Sequence, residues 1–188
     1  PIFLEQLERC QVDYFDYYLL HNINENSISV YKDEKWGILD YFKKQKELGK
    51  IKHLGFSCHC SVELLKDFLD YCGDAMEFCQ IQLKYLDWTL QDGKAKYDLL
   101  TERNIPVYIM EPLRGGKLAN LSKEATAKLN ALREDVTPVE WAFRFLLNLP
   151  NVRMILSGMS EFSQVKENIG IFKNDKPLNE TEINALLE

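Results

Sequence analysis

The chain has 188 residues, with 29 acidic and 23 basic side chains and a formal net charge of −6. No excess of Lys and Arg is present to neutralise phosphates, which argues against nucleic-acid binding. Hydrophobic residues make up 46% of the sequence, which is ordinary for a packed globule and too high for a disordered chain.

The sequence contains no stretch typical of a membrane protein or a secreted protein. No apolar run approaches the roughly 20 residues that cross a bilayer, and no signal peptide is visible. The five cysteines, an odd number, predict free thiols in a reducing compartment. We therefore expect a soluble, cytoplasmic, acidic protein that forms a single domain over residues 1–188 and has no membrane or nucleic-acid partner.

A short apolar run, a polar loop and a helical period follow one another five times along the chain. After a helical segment at 2–10, strands are predicted at 14–21, 51–56, 78–83, 107–110 and 152–156. The helices predicted after them are 36–48, 62–71, 94–103, 123–132 with 138–149, and 162–172. The first strand is aromatic and nearly all apolar, which predicts burial on both of its faces.

This alternation predicts an α/β fold with a parallel sheet and helices outside it. Two architectures fit: a doubly wound open sheet, or part of a (βα)₈ barrel. A complete barrel needs about 250 residues and eight units. Five units therefore favour the open sheet, unless the chain is a piece of a longer protein. Because it begins and stops within helical patterns, we expect it to be such a piece.

Polar side chains lie at or near the carboxyl end of each of the five predicted strands. In both architectures the carboxyl ends of parallel strands meet on one rim, where ligands bind. Loops after strands are polar in any case, so one such group is weak evidence, whereas five in succession predict a site. The groups are His21-Asn22, 57–59, Gln80 with Gln82, 111–116, and Ser157-Gly158.

Three local motifs allow both a chemical and a purely structural interpretation. Cys58-His59-Cys60 is a weak zinc candidate, because no second Cys or His pair stands at ligand spacing, so no metal is expected. Arg114-Gly115-Gly116-Lys117 could hold a phosphate or form a flexible turn. The segment 157–168 could offer a helix N-terminus to an anion or only cap that helix. No glycine-rich dinucleotide or Walker A motif is present.

At these places the sequence resembles the aldo-keto reductase superfamily. Residues 13–21 are similar to the fourth strand of that family's barrel, which ends in its active-site histidine, here His21. Residues 49–57, 79–82 and 105–113 resemble its fifth, sixth and seventh strands, and 156–168 resembles its adenosine-phosphate segment. The closest similarity is to the bacterial branch with a ferredoxin-like extension after the barrel. The resemblance implies units four to eight of a (βα)₈ TIM barrel.

The resemblance also implies an NAD(P)H-dependent oxidoreductase that reduces aldehydes or ketones to alcohols by hydride transfer. His21 would orient the carbonyl of a small substrate. NADP(H) is favoured over NAD(H), and an iron–sulfur cluster is expected only if an extension follows residue 188. The implied cofactor-binding residues are Ser57, His59, Gln80, Met110, Leu113, Arg114, Gly115, Gly116, Lys117, Ser157, Gly158, Ser160, Gln164, Glu167 and Asn168.

The sequence departs from the family pattern in ways that bear on activity. Cys58 stands where the family has Asn, Met110 where an aromatic side chain often stacks on nicotinamide, and Glu111 where it has Ser. The Asp, Tyr and Lys of the catalytic tetrad belong to strands before the start of this chain. We therefore expect this fragment alone to be inactive. The alternatives are a nucleotide-binding or regulatory half-barrel without chemistry, and an unrelated doubly wound protein. Substrate and oligomeric state stay open.

Overall fold

A computed structural model describes residues 2–174 and 176–188. Five strands alternate with helices, and each strand's neighbours in the sheet are its neighbours in the chain. The strands are β1 (Phe15–Ile23), β2 (Ile51–Cys58), β3 (Cys79–Gln82), β4 (Val107–Met110) and β5 (Val152–Ile155). The helices are α1 (Ile2–Cys10), α2 (Ile28–Lys32), α3 (Ile38–Glu47), α4 (Val62–Cys72), α5 (Asp87–Leu90), α6 (Gly93–Glu102), α7 (Lys123–Asn130), α8 (Pro138–Leu147), α9 (Phe162–Lys173) and α10 (Glu180–Leu187).

The α/β fold with parallel strands is confirmed, and every predicted strand and helix is present. Two short helices were not predicted: α2 lies in the predicted polar loop after β1, and α5 follows β3. Both contain few residues, so neither develops the repeated apolar spacing from which a helix is recognised. None of the described helices has the length and apolar composition needed to span a membrane.

The described residues fall into two compact units. Unit 1 comprises residues 2–81 and 98–107, and unit 2 comprises residues 82–97, 108–174 and 176–188. The single domain expected over residues 1–188 stays a prediction.

Unit 1 is built on the parallel pairs β1–β2 and β2–β3. Leu54 and Phe56 of β2 are completely buried, and the Phe56 ring centroid lies 5.0 Å from that of Phe68 on α4. Gly55 lies between them, where a Cβ atom would come within 2.5 Å of the Phe78 carbonyl oxygen. Only glycine therefore allows the backbone before β3 to approach β2 this closely.

The prediction that β1 is buried on both faces is wrong. Tyr14, just before it, and Tyr17 within it are 43% and 49% exposed. In the described sheet β1 is the first strand and has a neighbour on one side only. Phe3 of α1 covers one part of β1, making an edge-to-face contact with Tyr18 at 5.0 Å. Tyr17 is covered only in part: its ring stacks on that of His53, with the two ring centroids 4.8 Å apart.

Glu77 is a half-buried carboxylate with three hydrogen-bond partners in unit 1. It accepts hydrogen bonds from Lys46 Nζ and, at 3.0 Å, from the Leu54 N–H, and its Oε1 lies 3.2 Å from His53 Nδ1. Burial by itself raises the pKa of Glu77, but the hydrogen bonds from Lys46, Leu54 and His53 outweigh it and hold that pKa below its usual value. The ionised form is therefore the one that the fold stabilises.

Replacing Glu77 with glutamine is expected to lower the free energy of unfolding by about 0.5 to 1 kcal/mol at pH 7. Because the pKa of Glu77 is lower in the folded chain than in the unfolded one, this contribution is present above the unfolded pKa of about 4.3. It is lost as pH falls through the folded value. Urea unfolding of both proteins at pH 7 and pH 3 measures this, and a difference at pH 3 as large as that at pH 7 would contradict it.

Unit 2 holds β5 against the end of β4, where the Leu156 N–H donates to the Ile109 carbonyl at 2.8 Å. The predicted start of α8 is confirmed: Thr137 Oγ1 accepts a hydrogen bond from the Glu140 N–H at 3.1 Å, and Pro138 follows the cap. The middle of α8 is the core of this unit, with Trp141 1% exposed. The side chains that line the cavity described below thus stand on a rigid support.

Candidate functional site

β1 bulges at its carboxyl end, where His21 lies. The register with β2 shifts between Leu20 and Ile23, and Asn22 has a φ of 61°. The Tyr31 hydroxyl donates to the His21 carbonyl at 2.8 Å, which fixes the backbone here. The His21 imidazole is exposed and has no hydrogen-bond partner within the described residues. Both ring nitrogens are therefore available to a ligand.

Ser57 and Gln80 are register partners in β2 and β3, so their side chains leave the sheet on the same face and side by side. Ser57 is 2% exposed, and its Oγ accepts the Asn22 N–H at 2.8 Å. A hydroxyl that accepts one bond still has its own proton to donate. The fold therefore connects the bulge beside His21, through Asn22, to Ser57 and Gln80. This grouping agrees with the predicted rim.

His59 follows the end of β2 and is held by its backbone, whose N–H donates to the Ile23 carbonyl at 3.0 Å. Its side chain is exposed and has no partner among the described residues. Its implied role in binding the cofactor therefore stays a prediction. The neighbouring Cys58 Sγ is buried 4.0 Å from Cys79 Sγ. In the part of the chain that is described, no three His, Cys, Asp or Glu side chains are placed to hold a metal ion.

Unit 2 contains a cavity of about 640 Å³, within the range of pockets that hold small molecules and cofactors. Its walls are the loop after β4, the first residues of α8, the segment after β5 and one face of α9. The predicted cofactor-binding residues that line it are Leu113, Gly115, Gly116, Ser157, Gly158, Gln164, Glu167 and Asn168. The last three stand at i, i+3 and i+4 spacing, which places them on one face of the helix.

Four of the predicted residues of unit 2 do not line this cavity: Met110, Arg114, Lys117 and Ser160. The prediction also missed Thr137 and Val139, which line it beside Pro138. The sequence marks Thr137 only as a helix cap. Its Oγ1 donates a hydrogen bond of 2.8 Å to Glu167 Oε1, which holds Thr137 at the cavity wall. The two residues are 30 positions apart in the chain. No local pattern could have indicated that contact.

The loop after β4 leaves backbone open toward the cavity. Gly115 and Gly116 have φ values of +61° and +85°, and a Cβ atom at either position would meet nothing within 4 Å. Left-handed backbone of this kind suits glycine, and the missing side chains leave space for a group to approach the backbone. Arg114 and Lys117 flank the pair, and neither forms an ion pair within the described residues. The loop can therefore accept a phosphate.

The N-terminus of α9 is already capped by the chain itself. Gln164 Oε1 accepts the N–H groups of Ser160 at 2.9 Å and Glu161 at 3.2 Å, and the N-cap residue is the acidic Glu161. An anion at this helix end would have to displace these hydrogen bonds, and the Glu161 carboxylate would repel it. The helix cap is therefore present, and the binding of an anion at this helix end stays a prediction.

Unit 2 also contains a pair of opposite charges, Lys84 and Asp87, beside Tyr85. Lys84 and Asp87 form an ion pair, and their side chains are 0% and 1% exposed. The Tyr85 hydroxyl has no hydrogen-bond partner within the described residues, and burial raises the pKa of Tyr85 to about 12. A general-acid tyrosine needs a lowered pKa and access to substrate. Lys84 and Asp87 therefore belong to the core, and Tyr85 is partly buried beside them.

Comparison with known proteins supports the family resemblance seen in the sequence. A sequence model of the aldo/keto reductase family matches residues 1–188. YqkF, an uncharacterized oxidoreductase of Bacillus subtilis, is 26% identical over 198 residues, a match that covers 97% of this chain and 62% of that protein.

Two solved structures superimpose closely. The thermostable aldo-keto reductase Tm1743, in complex with the inhibitor epalrestat, gives a TM-score of 0.78 at 20% identity, covering 98% of this chain and 63% of that one. An aldo/keto reductase of Klebsiella pneumoniae in complex with NADP and acetate gives a TM-score of 0.70 at 19% identity. That match covers 98% of this chain and 62% of that one. At these identities the likeness establishes the fold, so the βα units are those of a TIM barrel and not of an open sheet. The chain spans less than two thirds of the length of each of these proteins.

Proposed function

Because the chain belongs to the aldo/keto reductase family, we propose that it supplies the dinucleotide cavity and the active-site histidine of an NAD(P)H-dependent oxidoreductase. Its substrates would be small aldehydes or ketones, reduced to alcohols. The observation that carries the proposal is the cavity of unit 2, because eight residues implied by the family resemblance line it together. Its size and its open glycine backbone fit part of a dinucleotide.

Each compact unit has its own part in the proposed reaction. In unit 2 the backbone at Gly115 and Gly116, with Arg114 and Lys117 beside it, would bind the pyrophosphate, and the segment 157–168 would bind the adenosine end. In unit 1 the Ser57 hydroxyl and the Gln80 amide would hold the nicotinamide carboxamide. The His21 imidazole would donate a hydrogen bond to the carbonyl oxygen of the substrate. The bound nicotinamide supplies the hydride to the carbonyl carbon.

The proton donor, a Tyr with its Lys and Asp, is assigned by the resemblance to barrel strands that precede unit four. We therefore infer that the chain alone binds a dinucleotide without turnover, and that carbonyl reduction by the bound NAD(P)H requires the complete barrel. The five cysteines are all free thiols, which supports a reducing compartment such as the cytoplasm.

A second candidate function is dinucleotide binding without chemistry, as in a regulatory half-barrel. It is favoured by the departures from the family pattern at Cys58 and Met110. NADPH oxidation by the complete barrel with a panel of aldehydes and ketones separates the two. Turnover supports the reductase, and saturable binding without turnover supports the second candidate.

Replacing Gly116 with alanine is expected to weaken dinucleotide binding by about tenfold, because a methyl group then occupies space beside the backbone that would contact the pyrophosphate. Titration of the purified protein with NADH and NADPH, followed by nicotinamide fluorescence, measures this. Gly49→Ala is the control: Gly49 also has a positive φ, +73°, and open space around it, but it lies outside the cavity. Equal losses in both variants, or no saturable binding by the parent protein, would contradict the proposal.

A further inference from the structure

The bulge at the carboxyl end of β1 leaves His21 and Asn22 of that strand opposite the single residue Ser57 of β2. A bulge takes a residue out of the ladder of backbone hydrogen bonds and changes the direction in which side chains point. Asn22 has a φ of 61°, a left-handed conformation that is uncommon for residues other than glycine. The direction of the His21 imidazole therefore depends on the contacts that hold this piece of backbone.

Three hydrogen bonds with side chains hold the backbone of the bulge. The Asn22 N–H donates to Ser57 Oγ at 2.8 Å, and the Asn22 carbonyl accepts from Ser27 Oγ at 2.7 Å. The His21 carbonyl accepts from the Tyr31 hydroxyl at 2.8 Å. Of these three bonds, the one from Tyr31 is made to the backbone of His21 itself. Its loss would free the end of β1 that carries the imidazole.

Tyr31 lies in α2 and is itself held in place by α4. Its ring meets the Phe68 ring edge-on, with the two centroids 6.2 Å apart, and its carbonyl accepts a hydrogen bond from the Tyr71 hydroxyl at 3.3 Å. Burial raises the pKa of Tyr31 above its usual value. The hydroxyl therefore keeps its proton at neutral pH and acts as the donor to the His21 carbonyl.

We propose that Tyr31 is a positioning residue for carbonyl reduction: its hydroxyl holds the His21 carbonyl and so sets the direction in which the His21 imidazole meets the substrate. The inference rests on the proposed function, in which that imidazole donates a hydrogen bond to the substrate carbonyl. Such a bond weakens steeply as its angle departs from linear. A displaced imidazole would therefore lower the rate although the group itself is still present.

Replacing Tyr31 with phenylalanine removes the hydroxyl and keeps the ring against Phe68. In the complete barrel we expect steady-state kinetics to show a loss of about tenfold in kcat/KM for carbonyl reduction, because a small misplacement of a reacting group is costly. Tyr18→Phe is the matched control: the Tyr18 hydroxyl also donates a hydrogen bond of 2.8 Å, but to Gln6 Oε1 of α1, away from the bulge. It should leave kcat/KM unchanged. The affinities for NADH and NADPH should not change in either variant.

The same substitution in a His21→Ala background separates positioning from a merely structural role. Because Tyr31 acts through the imidazole, Tyr31→Phe should there change kcat/KM by less than about twofold. A similar loss in both backgrounds would overturn the inference, as would an unchanged kcat/KM in Tyr31→Phe or an equal loss in Tyr18→Phe. Full activity of His21→Ala, or no carbonyl reduction by the parent protein, would instead overturn the proposed function on which the inference rests.

Discussion

Replacing Asp87 with alanine is expected to lower the free energy of unfolding by roughly 3 to 5 kcal/mol. Asp87 is the ion-pair partner of Lys84, and both side chains are sealed from solvent. Removing the carboxylate leaves the Lys84 ammonium group buried without a counter-charge, which is the costly half of a broken buried pair. The measurement is the urea unfolding midpoint and slope at pH 7, from which the free energy follows by linear extrapolation.

Two further variants decide whether burial causes this loss. The double replacement of Lys84 by methionine and Asp87 by leucine removes both charges and should recover most of the stability, because an apolar pair of similar volume has no desolvation cost. Glu47→Ala breaks the Lys44–Glu47 pair, which has the same i,i+3 spacing but side chains 62% and 66% exposed. It should leave the unfolding curve unchanged. An equally unstable double variant would contradict the assignment.

Replacing His21 with alanine is expected to lower kcat/KM for carbonyl reduction by the complete barrel by about 10²- to 10⁴-fold. The imidazole stands exposed at the bulge of β1, where Tyr31 fixes its backbone, so its loss removes the hydrogen bond to the substrate carbonyl and little of the fold. Steady-state kinetics measure the activity, and NADPH and NADH titrations measure cofactor affinity, which should not change.

His53→Gln is the matched control for this prediction. His53 is also an exposed histidine in unit 1, but it lies near the amino end of β2, stacked on Tyr17, away from the rim. Its replacement should leave kcat/KM within a factor of two or so of the parent value, as expected for surface changes away from a site. If His21→Ala retains full kcat/KM, the role assigned to His21 is wrong.

The helix boundaries show what local chemistry can predict. Ser61 and Thr137 stand directly before the helices predicted at 62–71 and 138–149, where a short polar side chain can accept an N–H bond from the first turn. Both make that bond, to Leu64 and Glu140 respectively. The strands were found in the same way, from apolar runs bounded by polar loops. Parallel pairing puts Ser57 and Gln80 beside each other on one face of the sheet, and their binding of a cofactor stays a prediction.

What the sequence by itself determined is therefore the order of the elements, the starts of two helices and the α/β class, since each depends on interactions within a few positions of the chain. Only the tertiary structure decided the exposure of β1, the burial of Lys84 with Asp87, and the contact between Thr137 and Glu167 that helps to form the acidic cavity wall. These depend on which side chains meet from distant segments and how much water they exclude. A side chain's burial, and with it the strength of its charge interactions, is not encoded by its sequence neighbours.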